Sequence, residues 1–191
     1  MGFAISWLAL IGKTPEKALA ELSLGCTGAT EMFPESAMTA ARLPSGWFLL
    51  FANKFDSPLV SEERLRTLSA GCQVVSCQVE EHVMYSSASC HVNGDQTWRV
   101  EHDAQTSIYN IESKGSLPAA FAPIYESLKN QQDTDGGAAA EVDYIHDVPV
   151  SLAEAIVGFR HDRDIAGAGE EPFEVLATTS ACLAKPWWKV W

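Results

Sequence analysis

The chain has 191 residues, 47% of them apolar, which suits one domain, or one domain with an addition, around a real core. Twenty-five acidic side chains against 13 basic ones give a formal charge of -12. That excess argues against non-specific nucleic-acid binding, which needs Lys and Arg against phosphates, and disfavours an anionic membrane surface.

The first stretch, "MGFAISWLALIG", is too short in apolar length to span a bilayer and lacks the basic region of a signal peptide. Gly2 and Ser6 fit the minimal myristoylation pattern, which chance often produces. The segment reads better as a buried strand over 3–11, because polar alternation is nearly absent. "GKTPEKALAELSLG" follows as a helix, with Thr14 as N-cap, Pro15 at N1 and Gly25 placed to close it. Residues 25–37 look irregular. "MTAARL", "PSG" and "WFLLFAN" then give a strand, a turn and a strand, the second apolar throughout and therefore central. "SEERLRTLSAG" is a helix capped by Ser61, with Glu62 and Glu63 at its positive end. A strand over 72–79 leads into the sharpest local signal in the chain.

That signal is Asn93-Gly94, the pair a type I′ hairpin turn requires, between strands at 83–92 and 95–104. A two-residue loop opposes Val92 to Asp95, Ser89 to Trp98, Ser87 to Val100 and Tyr85 to His102. Val83, Tyr85, Trp98, Val100, His102 and Ala104 then share the inward face, and His82, Met84, Cys90, Val92, Arg99, Glu101 and Asp103 the other. "IYNIE" at 108–112 suggests one more short strand.

A third helix lies in "SLPAAFAPIYESLKNQQ", with its main body from about Pro123, since an interior proline loses a hydrogen bond. Residues 131–141, "QQDTDGGAAAE", have the composition of an exposed linker. Beyond it, Ser151 and Glu154 form a capping box ahead of a fourth helix. The expected fold is α+β: a largely antiparallel sheet of about five to six strands with helices packed mainly on one face. The core covers about 1–130, and 142–191 is a C-terminal extension packed on it as part of a single domain.

Candidate chemistry is sparse. His82 lies beside Glu80 and Glu81, with Asp103 diagonal to it across the hairpin, which offers a raised histidine pKa or two ligands where a catalytic zinc needs three. His102 sits near the Tyr85 phenol as a general base or as a histidine fixed by its neighbours. "RHDRD" brings Arg160, His161 and Arg163 into one loop, either a phosphate or carboxylate site or a solvated helix end with local ion pairs. His146 beside Asp147 reads as a surface pair. Five cysteines at irregular spacing give neither a zinc cluster nor a disulfide scaffold, and a reducing compartment fits best. Cys77 or Cys90 beside His82 reads as a buried strand thiol rather than a nucleophile. No GxSxG, Walker A loop, dinucleotide fingerprint or HExxH occurs.

The tail "KPWWKVW" carries Trp187, Trp188 and Trp191, three of the six tryptophans. They either dock on the domain, join a homodimer, or fill a partner's groove, the docked arrangement being favoured. The function expected from these features is a non-enzymatic cytoplasmic interaction protein that binds or neutralises a protein partner, as an immunity protein does. No cofactor, metal, nucleic acid or membrane partner is expected. The alternative is a small hydrolase or metal-dependent enzyme using a His/Asp cluster of His82, His102 and Asp103.

Overall fold

The computed structural model describes residues 2–179. Along the chain run β1 (Ala4–Ile11), α1 (Pro15–Glu21), β2 (Leu24–Glu31), β3 (Met38–Arg42), β4 (Phe48–Ala52), α2 (Glu62–Leu68), β5 (Gln73–Glu80) and β6 (Tyr85–Val92). β7 (Asp95–Asp103), β8 (Glu112–Gly115), α3 (Phe121–Thr134), α4 (Asp147–Val157) and β9 (Phe173–Thr178) follow. The strands form one nine-stranded sheet in the order β2-β9-β3-β4-β1-β5-β6-β7-β8, antiparallel at every pairing. No helix among the described residues is long and apolar enough to cross a membrane.

The α+β class with an antiparallel sheet therefore holds, but nine strands replace the expected five to six. Three segments account for the difference. β2, "LGCTGATE", lies in the stretch read as irregular, because glycine and threonine give it no apolar period. β8 is exposed at every residue, so burial left no pattern in it, and it starts where the expected strand over 108–112 ends. β9 is the largest departure: the last third of the chain returns to insert a strand between β2 and β3.

β1 explains its own sequence. It pairs with β4 on one side and β5 on the other, and Ile5 to Leu10 are all buried. A strand covered on both faces needs no polar alternation. Its alternate residues feed two apolar clusters. Ile5, Trp7 and Ala9 join Leu49, Phe51, Val75, Val100 and the α4 residues Val148, Leu152 and Val157. Leu8 and Leu10 join Ala18 of α1 and Leu65 and Leu68 of α2.

The Asn93-Gly94 turn is present, with φ of 52° and 91°. Val92 faces Asp95 as expected, but the rest of the register is corrected by one residue. A β-bulge between Cys90 and His91 shifts the pairing, so Trp98 faces Cys90, Ser89 faces Arg99, His102 faces Ser86 and Tyr85 faces Asp103. The slip exchanges the faces of β6. Cys90 now shares the buried side with Trp98 and Val100, and Tyr85 lies with Arg99, which donates to its hydroxyl at 3.4 Å.

Two helix starts also differ. α3 begins at Phe121, with Pro123 inside its first turn, where a missing N–H costs no intrahelical bond. It continues to Thr134, into the stretch expected as linker, and Gln132 there is fully buried. The Gln132 amide donates to the carbonyls of Gly137 and Val142 and accepts from the Tyr144 N–H at 2.8 Å, closing the turn that follows. α4 begins at Asp147, so Ser151 and Glu154 are interior rather than a capping box. Ser151 Oγ instead accepts from Arg160 at 3.2 Å.

Candidate functional site

The three residues proposed for catalysis separate in the fold. His102 is fully buried: its Nδ1 lies 2.7 Å from the Asn110 carbonyl and its Nε2 lies 2.8 Å from Asp143 Oδ2. His82 sits in the turn after β5, largely exposed, with Nδ1 2.6 Å from Glu80. Asp103 is the next strand residue after His102 and so points to the opposite face. Cys77 and Cys90 are both buried, and burial pushes the Cys77 thiol up to about 12, far from a reactive thiolate. Among the described residues, no group of three or more His, Cys, Asp or Glu is arranged to hold a metal ion.

His146 is not the surface residue its sequence neighbours suggested. It is buried, with Nε2 3.2 Å from the Tyr85 carbonyl and its ring edge-on to His102 at 6.1 Å. Burial holds it below the ordinary histidine range, against the pull of Asp147. Asp143 joins the two histidines: Oδ2 faces His102, and Oδ1 accepts the His146 backbone N–H at 3.0 Å. The result is a closed polar knot tying β6 and β7 to the start of α4. Sequence reasoning missed Asp143, which lies 41 residues from His102.

The 160–164 loop follows the solvated reading for one arginine and not for the other. Arg160 is almost buried, and its donors are spent inside the chain on Asp162 at 2.7 Å, Asp147 at 2.9 Å and Ser151. It is a structural clasp between the two ends of α4. Arg163 is exposed and binds Glu154 at 2.8 Å. His161 packs edge-on against Phe3 at 4.8 Å, and its Nδ1 is buried with no hydrogen-bond partner among the described residues. Burial holds His161 below the ordinary range, with Asp162 opposing.

This loop forms one wall of a cleft of about 810 Å³, within the range of ligand pockets. Its floor is aromatic. Phe159 meets Trp7 at 5.4 Å, Phe51 at 6.3 Å and Phe173 at 6.4 Å, each edge-on or nearly so. The opposite wall is the 32–37 loop, which carries the chain from β2 to β3. Glu31 anchors it by accepting from Ser36 N–H and Oγ at 3.0 and 3.1 Å, and Asn53 donates to the Glu35 carbonyl at 3.0 Å. A loop fastened at these points holds Met32 and Phe33 outward, at 56% and 53% exposure, beside Phe3 at 40%. Three of the six exposed large apolar side chains among the described residues thus rim one cleft.

Glu35, Asp164 and Glu170 add carboxylates that make no ion pair among the described residues. Among the described residues, no serine, threonine, cysteine, lysine or tyrosine lines the cleft. Its chemistry is that of apolar contact with an acidic border. Of the residues singled out for binding, Arg160 is internal, His161 and Arg163 line the cleft, and Trp187, Trp188 and Trp191 lie outside the described residues. No family model matches this chain, and no curated protein or solved structure matches it either.

Proposed function

We propose that this chain is a non-enzymatic cytosolic interaction protein that holds, and thereby neutralises, a protein partner, as an immunity protein does. The carrying observation is the cleft rimmed by exposed Phe3, Met32 and Phe33 and bordered by carboxylates. Large apolar groups held in water by a fastened loop mark an interaction site, because solvation of such a cluster is unfavourable. A partner segment with an apolar anchor between basic residues complements both features, and the charge of -12 favours its approach. A cytosolic setting is consistent with Cys72, Cys77 and Cys90 being buried thiols. The enzyme alternative has weaker support, since His102 is fully buried, Asp103 points to the opposite face of the strand and His82 is largely exposed in the turn after β5.

The test compares capture of partners from source cells by the wild-type chain and by a Met32→Asp/Phe33→Asp variant. A basic protein retained stoichiometrically by the wild type and lost by the variant supports the reading. Equal capture by both, or a hydrolytic activity abolished by His102→Ala in a folded protein, overturns it.

A further inference from the structure

Of the chain's eight phenylalanines, Phe3, Phe33, Phe51, Phe159 and Phe173 line the cleft, so five rings are gathered in one cavity. The charged groups lining it beside them are mostly acidic: among the described residues, Glu35, Asp162, Asp164 and Glu170 stand against Arg163 alone. His161 adds no positive charge at neutral pH, because burial holds it below the ordinary range. We infer that the cleft binds an organic cation, a protonated amine carried on an aromatic or other apolar body. This small-molecule site goes beyond the holding of a protein partner and rests on that reading only in taking the cleft for a binding surface.

Charge selects the sign of the ligand. Arg163 is engaged by Glu154 at 2.8 Å and Asp162 by Arg160 at 2.7 Å. That leaves Glu35 on one wall and Asp164 and Glu170 on the other, with no ion pair among the described residues. Carboxylates around a low-dielectric cleft focus its field and concentrate cations there. The rings select the same sign, because the face of a phenyl ring is negative and attracts an ammonium group. The rings also set the kind of cation. A hard metal ion takes a cage of oxygens, and no group of three or more His, Cys, Asp or Glu among the described residues is arranged to hold one. An amine on an apolar body uses both features: its N–H groups reach the carboxylates while its body displaces water from the floor around Phe159. Asn53 donates its amide N–H to the Glu35 carbonyl at 3.0 Å, which orients the amide and leaves its oxygen as a neutral acceptor. A volume of about 810 Å³ accommodates a body of drug-like size.

The experiment titrates the full chain by calorimetry at neutral pH with three probes of one shape: tryptamine, a cation; tryptophol, neutral; and indoleacetate, an anion. Tryptamine should bind at least about tenfold more tightly than tryptophol, and indoleacetate should give no binding heat. Glu35→Gln/Glu170→Gln should weaken tryptamine to the level of tryptophol and leave tryptophol unchanged. Both side chains are exposed, and an unchanged urea midpoint shows that this variant is folded. Phe33→Ala should weaken tryptamine and tryptophol alike. Equal binding of all three probes, a preference for indoleacetate, tryptamine binding unaltered by the glutamine substitutions, or no tryptamine binding at millimolar concentration overturns the proposal. So does a chain that ignores tryptamine and binds a capped Lys-Trp-Lys peptide, since the ammonium would then belong to a partner's segment. Tryptamine binding with no partner captured from cells would remove the proposed function and leave the ligand site; partner capture without tryptamine binding would remove only the ligand site.

Discussion

His102 and Asp143 meet across 41 residues, with Nε2 2.8 Å from Oδ2 and both side chains nearly or fully out of water. The other ring nitrogen faces the Asn110 carbonyl, so Nδ1 donates to it. Asp143→Ala removes the Nε2 partner and the acceptor for the His146 N–H together. Breaking a buried pair from one side costs about 3–5 kcal/mol, so urea unfolding should show a loss of that order. Asp143→Asn keeps an acceptor for the backbone and a donor for a neutral His102, and should lose much less. Equal stability of the Ala variant and the wild type would refute the knot as a structural element.

A pH dependence follows from His146 and His161. Burial lowers both below the ordinary value of 6.5, so above that pH neither state carries a charge on them and the fold bears no penalty. As pH falls below 6.5 the unfolded chain takes up protons that the folded histidines resist, and stability declines until pH passes below the folded values. His146→Gln retains a donor toward the Tyr85 carbonyl while removing the titration. Unfolding free energies at pH 7.5 and 5.0 should differ more for the wild type than for His146→Gln, and least for His146→Gln/His161→Gln. Identical pH slopes in all three would contradict the assignment.

Gly115 ends β8 with φ of +78°, and a Cβ there would sit 2.1 Å from the Thr97 carbonyl oxygen. Gly115→Ala therefore meets both a left-handed backbone and the main chain of β7. The backbone strain alone is worth about 1–3 kcal/mol, and the clash should part the two strands. Hydrogen exchange should quicken across residues 98–101 and 112–115, with β5 and β6 unaffected. Unchanged protection in that ladder would show that β8 tolerates the side chain.

What the sequence revealed depended on whether a signal was local. Thr14 accepts from the Lys17 N–H and Ser61 from the Arg64 N–H, as their cap positions required. Asn93-Gly94 made its turn, and Phe48 to Ala52 is buried throughout as its unbroken apolar run implied. The bulge beside Cys90 left no local mark, so a correct turn carried an incorrect register, and with it the wrong face for Tyr85 and Cys90. The cleft was less legible still. Arg160 to Asp164 were visible as a cluster, but Phe3, Met32 and Phe33 come from distant segments and carry no shared motif. Only the return of β9 beside β2 and β3 brings their supports together.

That return is itself testable, because a strand inserted between two others must contribute to the core on both sides. Phe173 belongs to the cluster containing Trp7 and α4, and Leu176 to the one containing Leu8, Leu10 and α2. Each is nearly inaccessible to solvent, at 4% and 6%. Truncation leaves a cavity that the flanking strands, fixed by their own pairings, cannot close. Phe173→Ala should therefore cost about 3–5 kcal/mol and Leu176→Ala about 2–5 kcal/mol in urea unfolding. Glu174 shares the face of Leu176 but is itself exposed, and Glu174→Gln should change stability by no more than about 0.5 kcal/mol. A strand merely laid along the edge would show small effects at all three positions. Loss at Phe173 and Leu176 with tolerance at Glu174 is the signature of insertion, and near-neutral behaviour of both apolar residues would remove β9 from the sheet.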